Sequence, residues 1–444
     1  MSIWTEDQSR AVLTKVVALS KADECTATLS GAMRGNIRFA LNKVTTSGVV
    51  DDVSLVVQAA YGKRTGTSTI NQFDDESLQR VVRRAEELAR LAPENEEFMP
   101  ALARQTYTAT PTYDSSVAAI TPAYRAGVAT ASIGPCRAER LVAAGFLSDD
   151  VIVSAFANSK GNFGYQTATS FDYTCTVRTD DGSGSGWVGR NVGAVTQFDA
   201  DAAIRIAIAK AKGSSGARTL EPGKYPVILE PAAAAGLISS MMFAFDARQA
   251  DEGRSFLSRK GGGNRLGEKL FDQRVSIYAD PADRDVPVLP WDGEGLPRER
   301  QAFVDSGKVT SLQYSRYWAQ QKKARPTAAL GNVIVAGGQK STEDLIKASH
   351  KAVLVTRTYY IRTVDPQTLL LTGLTRDGTF YIEDGKIAYP VKNFRFNESP
   401  VIMLNSIEEL GKPVRVADDE SPFPMMVPPM KLREFTFTSL SDAV

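Results

Sequence analysis

Apolar residues recur at the spacing of an amphipathic helix in two stretches near the N-terminus. One stretch is 7–20. The other follows Asp74, where the apolar residues on one helix face are Leu78, Val81, Val82, Ala85, Leu88, Ala89 and Ala92. Asp74 suits the N-cap because its carboxylate can accept hydrogen bonds from the free backbone N–H groups of the first turn. Pro93 cannot continue a helix, so the pattern predicts a helix between these two residues.

Alternating apolar and polar residues predict antiparallel strands between and after these helices. Residues 37–41 and 53–57 alternate in the way that is typical of strands with one buried face. Further strands are expected at 151–156, 161–169 and 173–179. A helix is predicted over 123–145, with a break at the Gly-Pro of 134–135, and another helix from Asp199. The order helix, strands, helix therefore occurs twice.

Two short sequence matches support an internal duplication of this order. Residues 72–74 and 197–199 both read Gln-Phe-Asp, at an offset of 125 residues. Residues 34–37 (Arg-Gly-Asn-Ile) resemble residues 160–163 (Lys-Gly-Asn-Phe), at an offset of 126 residues. In each Gln-Phe-Asp the Asp suits a helix N-cap, and the Phe can pack onto the first turn of that helix.

These patterns predict an α+β protein of two domains. Residues 1–222 are interpreted as an N-terminal α+β domain with copies at about 1–93 and 122–222. The stretch 93–122 between the copies is rich in proline and polar residues and is predicted to be a linker. A Glu-Pro-Gly sequence then marks the boundary to a C-terminal domain, 223–444.

The second half of the chain changes character after a buried strand at 227–229 and an apolar helix at 232–245. Short strand patterns follow, punctuated by Asp-Gly and Asp-Pro turns, at 274–278, 302–304, 333–335, 353–361, 369–375, 379–382 and 386–389. Residues 383–385 (Glu-Asp-Gly) indicate a hairpin between the last two of these strands. Such spacing predicts a curled antiparallel sheet or barrel-like fold with flanking helices.

Charge and cysteine content narrow the classes of function. The chain has 52 Lys and Arg against 51 Asp and Glu, which argues against direct nucleic-acid binding through a broad basic surface. Its three cysteines, Cys25, Cys136 and Cys175, are too widely spaced to predict a disulfide framework or zinc knuckles, and we expect inert thiols in a reducing compartment. The N-terminus is polar and acidic, and the apolar stretch 232–245 is shorter than the ~20 residues of a membrane span. We therefore expect a cytoplasmic protein.

Few residues offer obvious chemistry. His350 is the only histidine, and we expect it at the end of a short helix, with a role as base or ligand as the alternative. Asp292 and Glu294 form an acidic turn that could also bind a cation or serve acid–base chemistry. The glycine-rich basic stretch 259–265 lacks the Gly-Lys-Ser/Thr of a phosphate loop, and the acidic stretch 180–186 lacks the ligand spacing of a calcium loop. Both are expected to be surface turns.

A series of short motifs, in order along almost the whole chain, carries a family resemblance. They are 36–40 (Asn-Ile-Arg-Phe-Ala), 62–66 (Gly-Lys-Arg-Thr-Gly), 227–231 (Val-Ile-Leu-Glu-Pro), 253–257 (Gly-Arg-Ser-Phe-Leu), 303–309 (Phe-Val-Asp-Ser-Gly-Lys-Val) and 364–368 (Val-Asp-Pro-Gln-Thr). In this order they resemble the TldD/TldE (PmbA) family, the "modulator of DNA gyrase" proteins, which is also described as a zinc peptidase family. The resemblance implies an N-terminal α+β domain, a C-terminal curled sheet and dimers.

The resemblance also implies a site that this chain lacks. In the catalytic branch of the family, a helix after the Val-Ile-Leu strand carries His-Glu-x-x-x-His, and a C-terminal cysteine completes the zinc site. Ser239, Ser240 and Ala244 stand approximately at these positions here, and no cysteine follows Cys175. The C-terminal stretch instead reads Asp-Asp-Glu-Ser-Pro-Phe-Pro at 418–424. The chain therefore resembles the TldE (PmbA) branch, whose members lack the zinc motif, and we expect no catalytic, cofactor-binding or metal-binding residue in it.

The expected function is that of a non-catalytic subunit in a heterodimeric zinc metallopeptidase that acts on short or unfolded peptides. The zinc would belong to a TldD-like partner. One alternative is a homodimeric peptide-binding or scaffold protein without proteolytic activity. A third is an enzyme with altered chemistry that uses His350, Asp292 or Glu294.

Overall fold

The computed structural model describes residues 4–417 and 421–441, and the first half of the chain builds one antiparallel sheet with helices on one face. Its elements are α1 (Glu6–Leu19), β1 (Glu24–Ala40), β2 (Lys43–Tyr61), β3 (Arg64–Ile70), α2 (Asp75–Leu91), α3 (Ser115–Ala118), α4 (Pro122–Ala138), β4 (Leu141–Asn158), β5 (Phe163–Thr179), β6 (Ser185–Val192) and α5 (Ala200–Ser214). The sheet order is β3-β2-β1-β4-β5-β6, so two three-stranded units meet through β1 and β4. The predicted α+β fold, with helix, strands and helix occurring twice, is confirmed.

In both Gln-Phe-Asp sequences the Asp is a helix N-cap, as predicted. The Asp74 carboxylate accepts a hydrogen bond from the backbone N–H of Ser77 at 2.9 Å, and Asp199 accepts one from Ala202 at the same distance. The following helices cover opposite ends of the sheet, α2 on β2 and β3, and α5 on β5 and β6. Each helix buries its apolar stripe against the strands, which gives the sheet two separate cores.

Two predictions in this half were wrong. The Gly-Pro at 134–135 does not break α4, which continues to Ala138, and 141–145 belongs to β4. An alanine-rich apolar run satisfies both periodicities, so sequence could not separate the helix from the strand. The match between 34–37 and 160–163 is not a structural equivalence either. Gly35 lies in the middle of β1, whereas Gly161 forms the β4–β5 turn at φ +80°.

A buried ion pair lies on the helix-covered face of the sheet, where the two copies meet. Arg125 of α4 forms a bidentate salt bridge with Asp149 of β4, with Nε–Oδ1 and Nη2–Oδ2 both at 2.6 Å. Both side chains are almost completely buried. The guanidinium passes over β1 at Gly35, where a Cβ atom would lie 1.6 Å from Nη2. The absence of a side chain at this position is therefore what makes room for the pair.

The second half forms a closed barrel and a second sheet. Its elements are β7 (Gly223–Leu229), α6 (Pro231–Phe243), α7 (Ala247–Asp251), β8 (Ile277–Ala279), β9 (Gln301–Asp305), β10 (Lys308–Val309), α8 (Arg316–Lys322), β11 (Val333–Val335), α9 (Thr342–Lys347), β12 (Lys351–Asp365), β13 (Leu370–Glu383), β14 (Lys386–Pro390), β15 (Phe394–Glu398), α10 (Pro400–Asn405), β16 (Ile407–Leu410), β17 (Val414–Val416), β18 (Met425–Val427) and β19 (Met430–Leu440). Strands β12, β7, β19, β15 and β13 pair in sequence, and β13 pairs back to β12. This closes the predicted barrel-like fold, in which only β7 and β12 are parallel.

The barrel both confirms and corrects the predicted strands. The hairpin at 383–385 is confirmed, since Asp384 and Gly385 both have positive φ, as the tight turn between β13 and β14 requires. The predicted strands at 369–375 and 379–382 are one strand. Asp377 and Gly378 do not turn the chain but form an irregularity within β13, at φ +57° and +120°. An Asp-Gly pair marks positive φ, which a bulge uses as readily as a turn.

The predicted linker 93–122 is an ordered layer between the two halves. It crosses the uncovered face of the N-terminal sheet, where Asn158 donates a hydrogen bond to the carbonyl of Leu102 at 2.8 Å. The Tyr107 hydroxyl donates to the carbonyl of Gly295 in the C-terminal half at 2.7 Å. Extensive contacts join the two halves. The domain boundary between 222 and 223 remains a prediction.

Two polar contacts, one buried and one half-buried, join the C-terminal half to the N-terminal half. The Ser185 hydroxyl of β6 donates to Asp377 of β13 at 2.6 Å, and both side chains are buried. Lys210 of α5 forms a 2.6 Å salt bridge with Glu230, the residue before α6. Among the helices within 4–417 and 421–441, none has both the length and the apolar character needed to cross a bilayer.

We predict that Gly35→Ala destabilises the protein by about 3 kcal/mol or more, because the new methyl group displaces the Arg125 guanidinium and leaves Asp149 as an unpaired buried charge. Gly48→Ala is the matched control, since nothing lies within 4 Å of a Cβ atom there and its free energy of unfolding should change by less than about 0.5 kcal/mol. Urea unfolding of both variants measures the difference. Equal stabilities would contradict the role assigned to Gly35.

Candidate functional site

Helix α6 occupies the place that the resemblance assigns to a zinc-binding helix, directly after the β7 strand. Pro231 starts the helix at its first position, where the missing N–H costs nothing. The Thr358 hydroxyl of β12 donates to the carbonyl of Ala233 at 2.9 Å and ties the first turn to the barrel. Residues 233–239 are all buried, so the helix lies in the core of the C-terminal half with only its last turn reaching the surface.

The three positions singled out in α6 carry no group that suits zinc. Ser239 is buried, and its hydroxyl makes no hydrogen bond within the described chain. The Ser240 hydroxyl donates back to the carbonyl of Gly236 at 2.9 Å. Ala244 is the C-cap and contributes only a methyl group. Zinc in proteins is held by thiolate, imidazole or carboxylate, so neutral hydroxyls and a methyl group do not fit the ion.

An aromatic pair covers the exposed end of α6. Phe243 is 56% exposed, and its ring centroid lies 5.2 Å from that of Phe423 in the proline-rich C-terminal segment. A groove of about 560 Å³ runs past Phe423 and is lined by Tyr113, Arg415 and Pro422 among others. No local pattern in the sequence marks the aromatic pair, because its two residues lie 180 positions apart.

The proline-rich segment itself covers a strand edge. Met425–Val427 forms β18, which pairs in parallel with β11 and antiparallel with β17. The segment therefore covers the edge of β11. The acidic residues before it, 418–420, lie outside the described residues.

His350 lies at the start of β12, away from α6. The predicted helix start is present, since Ser341 and Asp344 form a capping box at the beginning of α9. The His350 imidazole is largely exposed and contacts the carboxylate of Asp384 in the β13–β14 turn. Thr358, which touches α6, lies eight residues further along the strand, or roughly 25 Å. The structure therefore does not bring His350 together with α6.

Asp292 and Glu294 border a cavity of about 600 Å³ between the open face of the N-terminal sheet and the C-terminal half. The Asp292 carboxylate accepts hydrogen bonds at 2.9 Å from the backbone N–H groups of Glu294, Leu296 and Ala329, so it holds its own turn together. Glu294 forms a 3.0 Å salt bridge with Arg316. Within the described parts of the chain, no group of three His, Cys, Asp or Glu residues is arranged to hold a metal ion.

Aromatic side chains from three distant parts of the chain form one wall of this region. Trp291 lies 5.2 Å from Tyr107 and 5.6 Å from Phe156, measured between ring centroids. Burial raises the pKa of the Tyr107 hydroxyl above its usual value, which keeps this group protonated as a hydrogen-bond donor. The cavity therefore combines aromatic surface with the hydroxyl groups of the sheet, such as Thr28 and Ser30.

The two loops weighed as ion sites are surface turns. In 259–265, Arg259 and Arg265 both donate to the carboxylate of Glu268 at 2.8 Å, so their charge is already compensated. In 180–186, the Asp181 carboxylate accepts hydrogen bonds from its own turn. The three cysteines are free and buried, and burial raises their pKa to about 11 for Cys25 and Cys136 and about 12 for Cys175.

We predict that Ser239→Ala stabilises the protein by about 1 kcal/mol, because the change removes a buried hydroxyl that makes no hydrogen bond. Ser240→Ala is the control, because it lies in the same helix and gains the same helix propensity but removes a half-buried hydroxyl that makes a hydrogen bond. Its free energy of unfolding should be about 1 kcal/mol lower than that of Ser239→Ala. Thermal and urea unfolding of the two variants give the comparison. Loss of stability in Ser239→Ala would mean that this hydroxyl has a partner.

Comparison with known proteins identifies the fold and the family. The chain matches the PmbA/TldA metallopeptidase domain 1 over residues 34–89, the central domain over 90–214 and the C-terminal domain over 222–439. It is similar to the crystal structure of TldE from Thermococcus kodakarensis, with a TM-score of 0.84, 17% identity, and coverage of 97% of this chain and 99% of that one. At this identity, the likeness shows a common fold.

Two relatives are similar in sequence over part of their length. One is the metalloprotease PmbA homolog of Buchnera aphidicola, 23% identical over 61% of this chain and 60% of that protein. The other is a metalloprotease of Methanothermobacter thermautotrophicus, 24% identical over 59% of this chain and 61% of that protein. The match thus spans less than two-thirds of the length of each of these two relatives. With three matching domains in order along the sequence, the chain belongs to the PmbA/TldD metallopeptidase family.

Proposed function

We propose that this chain is the metal-free subunit of a heterodimeric zinc metallopeptidase of the cytoplasm, in which a TldD-like homologue supplies the zinc. One observation carries the proposal. Helix α6 keeps its place after β7 and its full packing in the core, but Ser239, Ser240 and Ala244 present hydroxyl and methyl groups where a zinc site needs imidazole and carboxylate. A retained scaffold without ligands is what a partner subunit requires.

The shape of the molecule supports short or unfolded peptides as the substrate class. The cavity of about 600 Å³ and the groove of about 560 Å³ are of the size that takes small ligands or a few residues of extended chain. A folded protein does not enter spaces of this size. Their mixture of aromatic rings, hydroxyl groups and paired charges suits peptide backbone together with varied side chains.

The second candidate is a homodimeric peptide-binding or scaffold protein without proteolytic activity. Its supporting observation is the cavity itself, whose aromatic rings and hydroxyl groups suit a bound peptide. Direct action on nucleic acid is disfavoured, because the net charge is only +1.

We predict that the chain co-purifies with a zinc-motif homologue from the same genome when both are expressed and only this chain is tagged. The complex should contain about one zinc per heterodimer and cleave unfolded peptides, whereas the chain alone should contain none and cleave nothing, because α6 offers no ligand. Elemental analysis and a peptide cleavage assay measure both properties. Stoichiometric zinc and cleavage by the lone chain would overturn the proposal, and a stable chain that ignores the homologue would favour the second candidate.

We further predict that Phe243→Arg in the complex lowers kcat/KM for unfolded peptides about tenfold or more, with zinc content unchanged. The exposed ring packs against Phe423, which lines the groove, and an apolar contact of this size is worth about 1.5–3 kcal/mol. Leu91→Arg is the control, since Leu91 is 84% exposed at the end of α2 in the N-terminal half. Equal kcat/KM values for the two variants would exclude this end of α6 from the peptide path.

A further inference from the structure

Arg298 lies where three internal spaces of the molecule meet. It borders the cavity of about 600 Å³, the groove of about 560 Å³ and a third space of about 460 Å³ next to the loop 325–332. Leu289 borders both the cavity and the groove. The two spaces to which we assign peptides are therefore neighbours, and Arg298 lies at the junction between them.

Backbone carbonyl groups hold the Arg298 guanidinium in place and leave one of its donor groups unused. Nε donates to the carbonyl of Ala329 at 3.0 Å, and Nη1 donates to the carbonyls of Leu289, at 3.0 Å, and Trp291. The backbone at Gly331 also packs closely here, since a Cβ atom added to it would lie 2.9 Å from Nε. In the described part of the chain, Nη2 donates to no protein atom. A fixed guanidinium with a free donor group is preorganised for a ligand.

The positive charge of Arg298 forms no ion pair with a carboxylate of the described residues, because the acceptors around it are neutral carbonyl oxygens. Burial lowers the pKa of Arg298, and the charge of Asp292 offsets this effect only in part. The Asp292 carboxylate instead accepts hydrogen bonds from the backbone N–H groups of its own turn and of Ala329. A charge removed from water without a counter-ion is costly, so binding of an anion at Nη2 is favoured.

The other charged residues of the two spaces also favour an anion at the junction. Three further carboxylates of the cavity are paired with cations, as Glu24–Lys160, Glu97–Arg248 and Glu294–Arg316. Among its described lining residues, the groove has Arg284, Arg298 and Arg415. Its one lining carboxylate, Asp114, caps helix α3. Of the three arginines, only Arg298 also borders the cavity, so a carboxylate drawn into the groove reaches the junction at this residue.

We propose that Arg298 binds a carboxylate group of a peptide where the cavity meets the groove, either the C-terminal carboxylate or that of an acidic side chain. The inference rests on the proposed peptide-binding function and adds to it a named site and a preference for anionic peptides. Arginine suits this role because its planar guanidinium stays charged and donates to carboxylate oxygens. The neighbouring Trp291 ring supplies an apolar surface for the residue that carries the carboxylate.

Fluorescence anisotropy with the full chain and a short dye-labelled peptide of uncharged residues tests the proposal. The peptide is made with a free C-terminal carboxylate, with a C-terminal amide, and as the amide with one internal glutamate. We expect the free acid to bind at least about tenfold more tightly than the amide, because the amide cannot accept a charge-assisted hydrogen bond from Nη2. Tight binding of the glutamate peptide would show that a side-chain carboxylate also occupies the site, and weak binding would restrict the site to the C-terminus.

Arg298→Gln should abolish the preference for the free acid, because glutamine keeps an N–H donor but carries no charge. The free acid should bind at least about tenfold more weakly to this variant, and the amide should bind as it does to the unmodified chain, which also shows that the variant is folded. Arg325→Gln is the matched control, since it removes the same charge from a side chain that is 79% exposed and paired with Glu299. It should leave all three affinities unchanged.

The possible failures are distinguishable. Equal binding of acid and amide by the unmodified chain would overturn the role of Arg298 and leave the proposed peptide-binding function standing. An equal loss of the preference in Arg298→Gln and Arg325→Gln would also overturn it, since the effect would then come from the net charge. Failure of every peptide to bind would overturn both the inference and the function on which it rests.

Discussion

The fold depends on one buried charge pair that lies at the junction of its two halves of sheet. Arg125 and Asp149 are shielded from water, and removing such ions from solvent costs several kcal/mol each, which their attraction offsets only when the geometry is close to ideal. The bidentate contact supplies that geometry, but only because β1 has no side chain at Gly35. A residue of the first copy thus makes possible an ion pair within the second, and the two copies fold as one sheet.

In the C-terminal half, the contacts that hold helix α6 in place do not depend on the chemistry of its polar side chains. Helix α6 is buried along most of its length, so its backbone position is set by contacts with the barrel and the second sheet. Its inward-facing residues can exchange imidazole for hydroxyl without moving the helix, because small polar side chains occupy less space. A family can therefore keep one scaffold for subunits with and without a metal, and the surface near Phe243 and Phe423 can change independently.

Local signals in the sequence predicted much of the local structure, and the errors arose where one pattern fits two structures, as at 134–145 and at 377–378. The N-caps at Asp74 and Asp199 and the turn at 383–385 were readable because each is decided within a few residues. Closure of the barrel joins β12 with β13 and β7 with β19, and no short pattern encodes such partners. At the candidate site, the sequence alone showed that α6 contains neither histidine nor cysteine. The Phe243–Phe423 contact and the aromatic wall became visible only in the structure.

The contact between Ser185 and Asp377 has a consequence for how the two halves of this chain can move. Asp377 sits in a left-handed backbone conformation inside a barrel strand, and its buried carboxylate holds the sheet of the other half. A hinge needs a segment that can change its dihedral angles at low cost, and this junction is instead clamped on the barrel side. The two halves of the chain are therefore expected to move as one rigid body, so the space between them does not widen by rotation of one half against the other.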